Sequence, residues 1–291
     1  MTTNARLIEV NGQELSTEFF GNPDDPAVLL LHGAGHSLVN WPDDFVERLA
    51  TGGRYVVRYD SRDAGRSTTY PVGAPPYDLR DLVADAAALI AALGPVPVHV
   101  VGMSQGAAIG QLLALDHPGR VATLTLASST PGGPGHDHPD LPPMSDRLAA
   151  FFTQADGQVD WSDRTAAIEA LVEGERPFAA ESRPFDAEGV RLLAVRTVDR
   201  SHDIAAQSTN PYLLDAGEPW RHRLGRIAAP TLVLHGVEDP LFPIEHGVAL
   251  AAEIPNAHFI ALAGTGHEVF PREEWDTVVP ALLAHTAGMG E

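Results

Sequence analysis

Three residues of this chain have the types and the order that catalysis by a serine nucleophile requires: Ser104, Asp239 and His267. A serine hydroxyl becomes an effective nucleophile when a base lies within hydrogen-bonding distance, and that base needs a carboxylate to orient it. Each of the three follows an apolar run that predicts a buried strand. Because parallel strands bring their carboxyl ends to one edge of a sheet, we expect nucleophile Ser104, base His267 and orienting acid Asp239 to meet there.

The segment around the serine, Gly102-Met103-Ser104-Gln105-Gly106, lies between a strand-like run and a helical run of small residues. Strand, G-x-S-x-G and helix in this order predict a nucleophile elbow. The turn is so tight that the serine backbone is strained, and the glycines avoid collisions between a Cβ atom and neighbouring backbone. The hydroxyl is thereby exposed above the sheet at the N-terminus of a helix, where negative charge is stabilised.

The orienting acid has an alternative, because Glu238 stands beside Asp239. An aspartate before a proline is also typical of a simple turn without a catalytic role. His267 ends a Gly-rich loop with the pattern G-x-G-H, which a chain with thirteen histidines can contain by chance. The order of the three elements, each behind a predicted strand, favours the catalytic interpretation.

Attack on a carbonyl group creates an oxyanion, which two N–H groups stabilise. One donor belongs to the residue after the nucleophile, Gln105, and the other to the loop after the third strand. That loop spans residues 31–36 and is rich in glycine, and we assign the second donor to Ala34. His32 is interpreted as a buried support of this loop. His36 is predicted to bind substrate, with a solvated loop position as the alternative.

Short apolar runs alternate with helical patterns, which is typical of an α/β fold with a mostly parallel sheet and helices on both faces. The Asn11-Gly12 pair predicts an antiparallel hairpin at the edge of this sheet. Eight strands are predicted at residues 7–10, 15–20, 27–31, 55–59, 98–102, 123–127, 231–234 and 257–262. Helices are predicted at residues 44–50, 79–93, 105–115, 246–254 and 273–285.

The alternation stops between residues 131 and 226, which open on a Pro/Gly-rich loop. Three helical patterns without strands between them follow, at residues 146–154, 163–173 and 187–200. We interpret residues 131–226 as a helical cap inserted between two halves of one α/β core, which comprises residues 1–130 and 227–291. Phe151, Phe152 and Trp161 are expected to pack the cap onto the core, and some of these side chains to face a substrate.

The composition excludes several classes of partner and chemistry. A formal net charge of −20 argues against nucleic acid and anionic membranes as partners. The absence of cysteine excludes thiolate nucleophiles and thiolate-bound metals. The N-terminal residues lack the apolar segment of a signal peptide, and no apolar run reaches the roughly 20 residues that span a bilayer. We therefore expect a cytoplasmic protein, and the sequence indicates no particular oligomeric state.

A possible metal site lies at residues 136–140, which contain two histidines and two aspartates. This segment belongs to a loop rich in proline and glycine, which does not fix the geometry of metal ligands. We therefore expect no metal there.

These motifs resemble those of the α/β-hydrolase superfamily over nearly the whole chain. The Arg-Asp-x-Gly-Arg-Ser run at residues 62–67 is similar to the carboxylesterase branch that includes aclacinomycin methylesterase, in which we expect Met at the position of Gln105. The resemblance implies the fold, the cap, the roles of the catalytic residues and the absence of a cofactor. The arginines of this run are interpreted as parts of a structural turn, with a substrate clamp as the alternative. The other matching segments are residues 31–35, 59–61, 102–106 and 114–126, the Asp239 turn and the Gly266-His267 loop.

The predicted activity is hydrolysis of the ester bond of a small, apolar molecule through an acyl-enzyme. A serine at the elbow disfavours the branches that use an aspartate nucleophile, the dehalogenases and epoxide hydrolases. Two alternatives use the same three residues: a hydrolase of carbon–carbon bonds, and a cofactor-free haloperoxidase or perhydrolase. A non-catalytic protein that binds a small molecule is the alternative outside enzymology.

Overall fold

The computed structural model describes residues 4–154 and 159–287, and eight strands of this part form one sheet. The strands are β1 (Asn4–Val10), β2 (Gln13–Phe20), β3 (Ala27–Leu31), β4 (Tyr55–Tyr59), β5 (Val98–Met103), β6 (Val121–Ala127), β7 (Thr231–Gly236) and β8 (His258–Leu262). Their order across the sheet is β1-β2-β4-β3-β5-β6-β7-β8. From β4 to β8 in this order the strands are parallel, so their carboxyl ends share one edge.

β1 and β2 form an antiparallel hairpin at one edge of the sheet, and β2 is also antiparallel to β4. The hairpin turn, Asn11-Gly12, has φ angles of 50° and 73°. This left-handed conformation costs asparagine and glycine less than other residues. The predicted fold, a mostly parallel eight-stranded sheet with an antiparallel edge pair, is confirmed.

The helices flank the sheet or lie between β6 and β7. They are α1 (Asp43–Thr51), α2 (Leu79–Leu93), α3 (Gln105–Asp116), α4 (Asp146–Gln154), α5 (Arg164–Glu175), α6 (Ala187–Arg200), α7 (Ile204–Thr209), α8 (Ile244–Glu253) and α9 (Trp275–His285). Short 3-10 helices occur at Leu38–Asn40, Pro118–Arg120, Arg176–Phe178, Asn210–Tyr212, Arg221–Arg226 and Arg272–Glu274.

The sequence pattern misses α7 and misplaces the start of α9. α7 has six residues, too few to display a helical period. Asp203 caps it by accepting a hydrogen bond from the N–H of Ala206 at 3.0 Å. The helix predicted at residues 273–285 begins at Trp275, because a 3-10 turn that follows Pro271 precedes it.

Apolar side chains fill both faces of the sheet. In β3, Leu29 and Leu31 face the cluster built with α2, α3 and α8, whereas Val28 and Leu30 face the cluster built with α1 and α9. Strands buried on both faces read as continuous apolar runs, as β3 does here. The two clusters fix the sheet between its helices and thus fix the edge where the strands end.

The chain between β6 and β7 contains no strand within its described residues. α5 and α6 pack on each other through a small apolar cluster around Ile168, Val172 and Ala194. We call residues 128–230 the helical insert. The division of the chain into a cap at residues 131–226 and a core on either side stays a prediction.

An ion pair joins the helical insert to the end of β4. Both carboxylate oxygens of Asp60 accept hydrogen bonds from Arg200, the last residue of α6, at 2.8 and 2.7 Å. The side chain of Asp60 is 0% exposed and that of Arg200 is 9% exposed. The N–H groups of Leu38 and Arg66 also donate to Asp60, at 2.9 and 3.1 Å. This buried carboxylate thus organises the loops around β4 and holds the C-terminus of α6.

None of the helices in the described residues combines the length and the apolar character that crossing a bilayer requires. The first three residues of the N-terminal segment, for which no signal peptide is predicted, lie outside the described residues. The cytoplasmic location stays a prediction.

We expect Arg200→Met to lower the free energy of unfolding by about 3–5 kcal/mol, because it leaves the buried Asp60 carboxylate without a countercharge. Urea unfolding followed by circular dichroism measures this change. Arg191→Met is the matched control on the same helix, because Arg191 pairs with Glu169 in solvent. An exposed pair contributes little, so the control should change stability far less. Equal effects of the two substitutions would contradict the structural role of Asp60.

Candidate active site

Ser104 lies at the sharp turn between β5 and α3, with φ 53° and ψ −116°. A Cβ atom on Gly102 would collide with the carbonyl of Gly106, and one on Gly106 would collide with the carbonyl of Leu31. The N–H of Ser104 donates to the carbonyl of Ala127, at the end of the neighbouring strand, at 2.9 Å. These contacts hold the serine in a strained conformation with its side chain at the carboxyl edge of the sheet.

The structure brings Ser104, His267 and Asp239 into one chain of hydrogen bonds. Nε2 of His267 lies 3.0 Å from Oγ of Ser104, and Nδ1 lies 2.9 Å from Oδ2 of Asp239. An ionised carboxylate can only accept, so the proton of the imidazole lies on Nδ1. Nε2 therefore presents its lone pair to the serine hydroxyl.

Asp239 is held by its own turn as well as by the histidine. Its Oδ1 accepts hydrogen bonds from the N–H groups of Leu241 and Phe242 at 2.9 and 2.8 Å. Burial alone would raise the pKa of this carboxyl, but the electrostatic interaction with His267 and the hydrogen bond from its Nδ1 outweigh burial and lower the pKa. The aspartate is therefore ionised at neutral pH and fixed in orientation.

Glu238, the alternative orienting acid, points away from this group. Its carboxylate accepts hydrogen bonds from the N–H of Ser182, at 2.9 Å, and from the Ser182 hydroxyl. Ser182 is exposed to solvent and Glu238 is partly buried. Glu238 therefore links the β7 turn to the helical insert, and the carboxylate bonded to His267 is that of Asp239.

Two aromatic rings flank the imidazole of His267. The ring of Phe178, from the helical insert, lies 5.9 Å from it, and that of Phe242 lies 5.4 Å from it between centroids. The N–H of His267 donates to the carbonyl of Phe178 at 2.8 Å. His267 is only 7% exposed as a result, so its position depends on contacts from both the sheet side and the insert.

The two residues predicted to stabilise an oxyanion are both bonded to consecutive residues of the insert. The side chain of Gln105 donates to the carbonyl of Pro211 at 3.1 Å. The hydroxyl of Tyr212 donates to the carbonyl of Ala34 at 3.2 Å, and Nε2 of Gln207 donates to the carbonyl of Gly35 at 3.1 Å.

The backbone N–H groups of these two residues are the relevant donors. Gln105 is the first residue of α3, so its N–H has no partner within the helix. Ala34 lies in the loop after β3. The insert holds this loop by a hydrogen bond to the carbonyl group of Ala34. The role of both N–H groups stays a prediction.

His32 supports the same loop from below. Its Nδ1 donates to the carbonyl of Gly33 at 2.9 Å, and its Nε2 accepts from the N–H of Ser61 at 3.2 Å. Burial lowers the pKa of His32 from 6.5 to about 4, so the ring is neutral at physiological pH. This is the supporting position that the sequence predicts.

His36 faces a cavity rather than bulk solvent, and its Nε2 lies 3.1 Å from Oε1 of Glu175 at the end of α5. Burial alone would raise the pKa of Glu175, but the electrostatic interaction with His36 and the hydrogen bond between the two side chains lower it. Sequence reasoning missed Glu175, Gln207 and Tyr212. They belong to no motif, and only the packing of the insert brings them to the loop after β3.

The cavity has a volume of about 540 Å³, within the range of sites for small molecules. Ser104 and His267 lie on its wall on the side of the sheet. The opposite wall comes from the insert and is mostly apolar; it includes Met144, Phe151, Phe152, Trp161, Leu171 and Phe178. The aromatic residues singled out in the sequence therefore lie where a substrate would contact them.

Other candidate sites take no part in this cavity. Arg62 forms a bidentate pair with the buried Asp85, at 2.7 and 2.9 Å, so it stabilises a turn. In the segment at residues 136–140, Asp140 pairs with Arg221. Within residues 4–154 and 159–287, no group of three or more potential ligand side chains is arranged to hold a metal ion.

A model of the α/β-hydrolase fold family matches residues 26–274, and this chain belongs to that family. It is similar to two rhodomycin D methylesterases, with 97% of both chains covered in each case. The identity is 32% to the protein of Streptomyces sp. strain C5 and 33% to that of Streptomyces peucetius. The resemblance to the methylesterase branch is thereby confirmed.

Solved structures share the fold over the full length of the chain. An esterase from Rhodococcus sp. ECU1013 has a TM-score of 0.75 at 22% identity, with 100% of both chains covered. At this identity the likeness concerns the fold alone.

His32 makes stability depend on pH. The unfolded chain binds a proton at this histidine below a pH of 6.5, and the folded chain does so only below about 4. Acidification within this window therefore favours unfolding, by up to about 1.4 kcal/mol per pH unit. We expect His32→Gln, whose side chain can still accept from Ser61, to show a shallower loss of stability. Urea unfolding at several pH values measures the slope, and identical slopes in both proteins would disprove the assignment.

Proposed function

We propose that this protein is a serine hydrolase that cleaves carboxylic esters of small molecules through an acyl-enzyme. The observation that carries the proposal is the chain of hydrogen bonds from Asp239 through His267 to Ser104, which ends at the wall of a cavity. The family and its methylesterase relatives support ester hydrolysis as the reaction.

In the first half of the reaction, Oγ of Ser104 attacks the ester carbonyl carbon while its proton moves to Nε2 of His267. The carbonyl oxygen becomes an oxyanion, which the N–H groups of Ala34 and Gln105 stabilise. Asp239 stabilises the imidazolium that has formed. The carbon–oxygen bond to the alcohol then breaks, and Nε2 returns the proton to the leaving alkoxide.

In the second half, a water molecule takes the place of the alcohol. His267 accepts a proton from this water as its oxygen attacks the acyl carbon, and a second oxyanion forms in the same position. The bond to Oγ of Ser104 breaks, and the serine recovers the proton from Nε2. The products are an acid and an alcohol, and the enzyme returns to its starting state.

The apolar lining of the cavity favours a substrate with a bulky apolar part. Its apolar wall is contributed by the helical insert, which we propose acts as the cap at residues 131–226. Apolar walls bind a ligand mainly by removing its surface from water. They also exclude water from the reacting carbonyl, which strengthens the contribution of the N–H donors.

We expect Ser104→Ala to lower kcat by about 10⁴-fold or more, because the nucleophile is lost while the cavity remains. Initial rates on methyl esters of arylalkanoic acids and on p-nitrophenyl esters measure the change. Wild-type turnover that survives in Ser104→Ala would contradict the assignment of the nucleophile. Wild-type protein that cleaves vinylogous diketones and leaves esters intact would instead indicate a carbon–carbon bond hydrolase.

Asp239→Asn should lower kcat by about 10⁴-fold, because an amide donates to Nδ1 and forces the imidazole into the wrong tautomer. Glu238→Gln is the matched control one residue away, and it should leave kcat close to that of the wild type. The same ester assay measures both variants. A large loss in Glu238→Gln with little loss in Asp239→Asn would exchange the roles of the two residues.

A further inference from the structure

Glu175 is the one carboxylate among the described residues that line the cavity. Its partner there is an imidazole, that of His36, rather than a permanent cation. No arginine lines the cavity in the described part of the chain, and the sequence contains no lysine. The cavity beside Ser104 thus contains a negative charge and lacks the residues that bind an anionic substrate most strongly.

The position of Glu175 is unfavourable for the stability of α5, the helix to which it belongs. Glu175 is the last residue of α5, where the free carbonyl groups carry partial negative charge and repel a carboxylate. Glu169 and Glu173 of the same helix point to solvent and pair with Arg191 and Arg176. Glu175 alone turns its carboxylate to the cavity, so its contribution concerns the cavity and not the stability of α5.

The side chain of Glu175 is 34% exposed, so solvent screens its charge in part. A charge on a bound molecule would still interact with Glu175, because the apolar walls lower the effective dielectric constant. A carboxylate would be repelled. An ammonium group would be attracted, and the aromatic residues Phe152, Trp161 and Phe178, which also line the cavity, are of a type that binds cations. The ammonium group can take the place of the His36 imidazole beside Glu175, because that imidazole is held by a single hydrogen bond to the carboxylate.

We propose that Glu175 makes the cavity select its substrate by charge, so that among esters of similar shape a cationic one is preferred to a neutral one and a neutral one to an anionic one. This inference rests on the proposed esterase function and narrows its substrate class. The substrate is an ester whose apolar body carries a protonated amine or no charge, and carboxylate-bearing esters are rejected.

The test uses three methyl esters of 3-arylpropanoic acids, which carry tert-butyl, trimethylammonium or carboxylate at the para position. The first two substituents have the same shape and differ in charge alone. Acid release in a pH-stat gives kcat/KM for each ester. In the wild type we expect the cationic ester to exceed the anionic ester by at least about tenfold, the discrimination that 1.4 kcal/mol provides.

Substitutions in α5 test whether the charge selectivity comes from Glu175. Glu175→Gln should reduce the ratio to within about threefold, because the neutral amide interacts weakly with either charge. Glu175→Asp retains the charge and should restore the ranking. Glu173→Gln is the matched control, since it removes the same charge from the exposed face of the same helix. A control that changes the ratio as much as Glu175→Gln would attribute the effect to the overall net charge and overturn the proposal.

Binding of the three esters to Ser104→Ala, measured by calorimetry, separates this inference from the proposed function. The ranking of affinities does not depend on turnover. If the wild type hydrolyses no ester while Ser104→Ala binds them in the expected order, the esterase proposal fails and the charge selection stands. If the neutral ester is hydrolysed and the anionic ester binds and reacts equally well, the charge selection fails and the esterase proposal stands.

Discussion

Ser104 keeps a left-handed backbone between a buried strand and a buried helix, and contacts from its surroundings sustain this conformation. A non-glycine residue pays on the order of 1–3 kcal/mol for such a backbone. The close approach of Gly102 and Gly106 to neighbouring backbone, and the bond from Ser104 to Ala127, keep the turn from relaxing. The hydroxyl then has a fixed place, and the loops carrying His267 and Ala34 are arranged around it.

The helical insert contributes to the geometry of the site as well as to its apolar wall. Pro211 and Tyr212 are adjacent in the chain, and they bond to the two different segments that carry the proposed oxyanion donors. Gln207 adds a bond to Gly35 and accepts another from the N–H of Gly65 at 2.9 Å. The side chain of Gln207 is fully buried, and both its N–H and its carbonyl oxygen are hydrogen-bonded, so it joins the two loops rigidly. The insert thus holds the loop after β3 through hydrogen bonds to the carbonyl groups of Ala34 and Gly35.

Local sequence patterns were sufficient for the sheet and for the three central side chains of the site. Strand periodicity located the eight strands, and the elbow motif located Ser104, because both depend on residues close in the chain. Asp239 and His267 followed from their places behind predicted strands. Glu175, Gln207 and Tyr212 could not be found in this way, since each contacts the loop after β3 across well over a hundred residues. Such contacts depend on tertiary packing and leave no periodic or motif signal.

Gln105 shows how one substitution at a motif position can connect two parts of the molecule. The methylesterase branch leads us to expect methionine here, which could fill the same space but could not donate a hydrogen bond. The amide of Gln105 donates to Pro211, so the residue after the nucleophile is tied to the insert by a directional bond. A displacement of residues 207–212 would break this bond and those to Ala34 and Gly35 together. The position of the insert and the geometry of the proposed oxyanion donors are therefore coupled through these bonds.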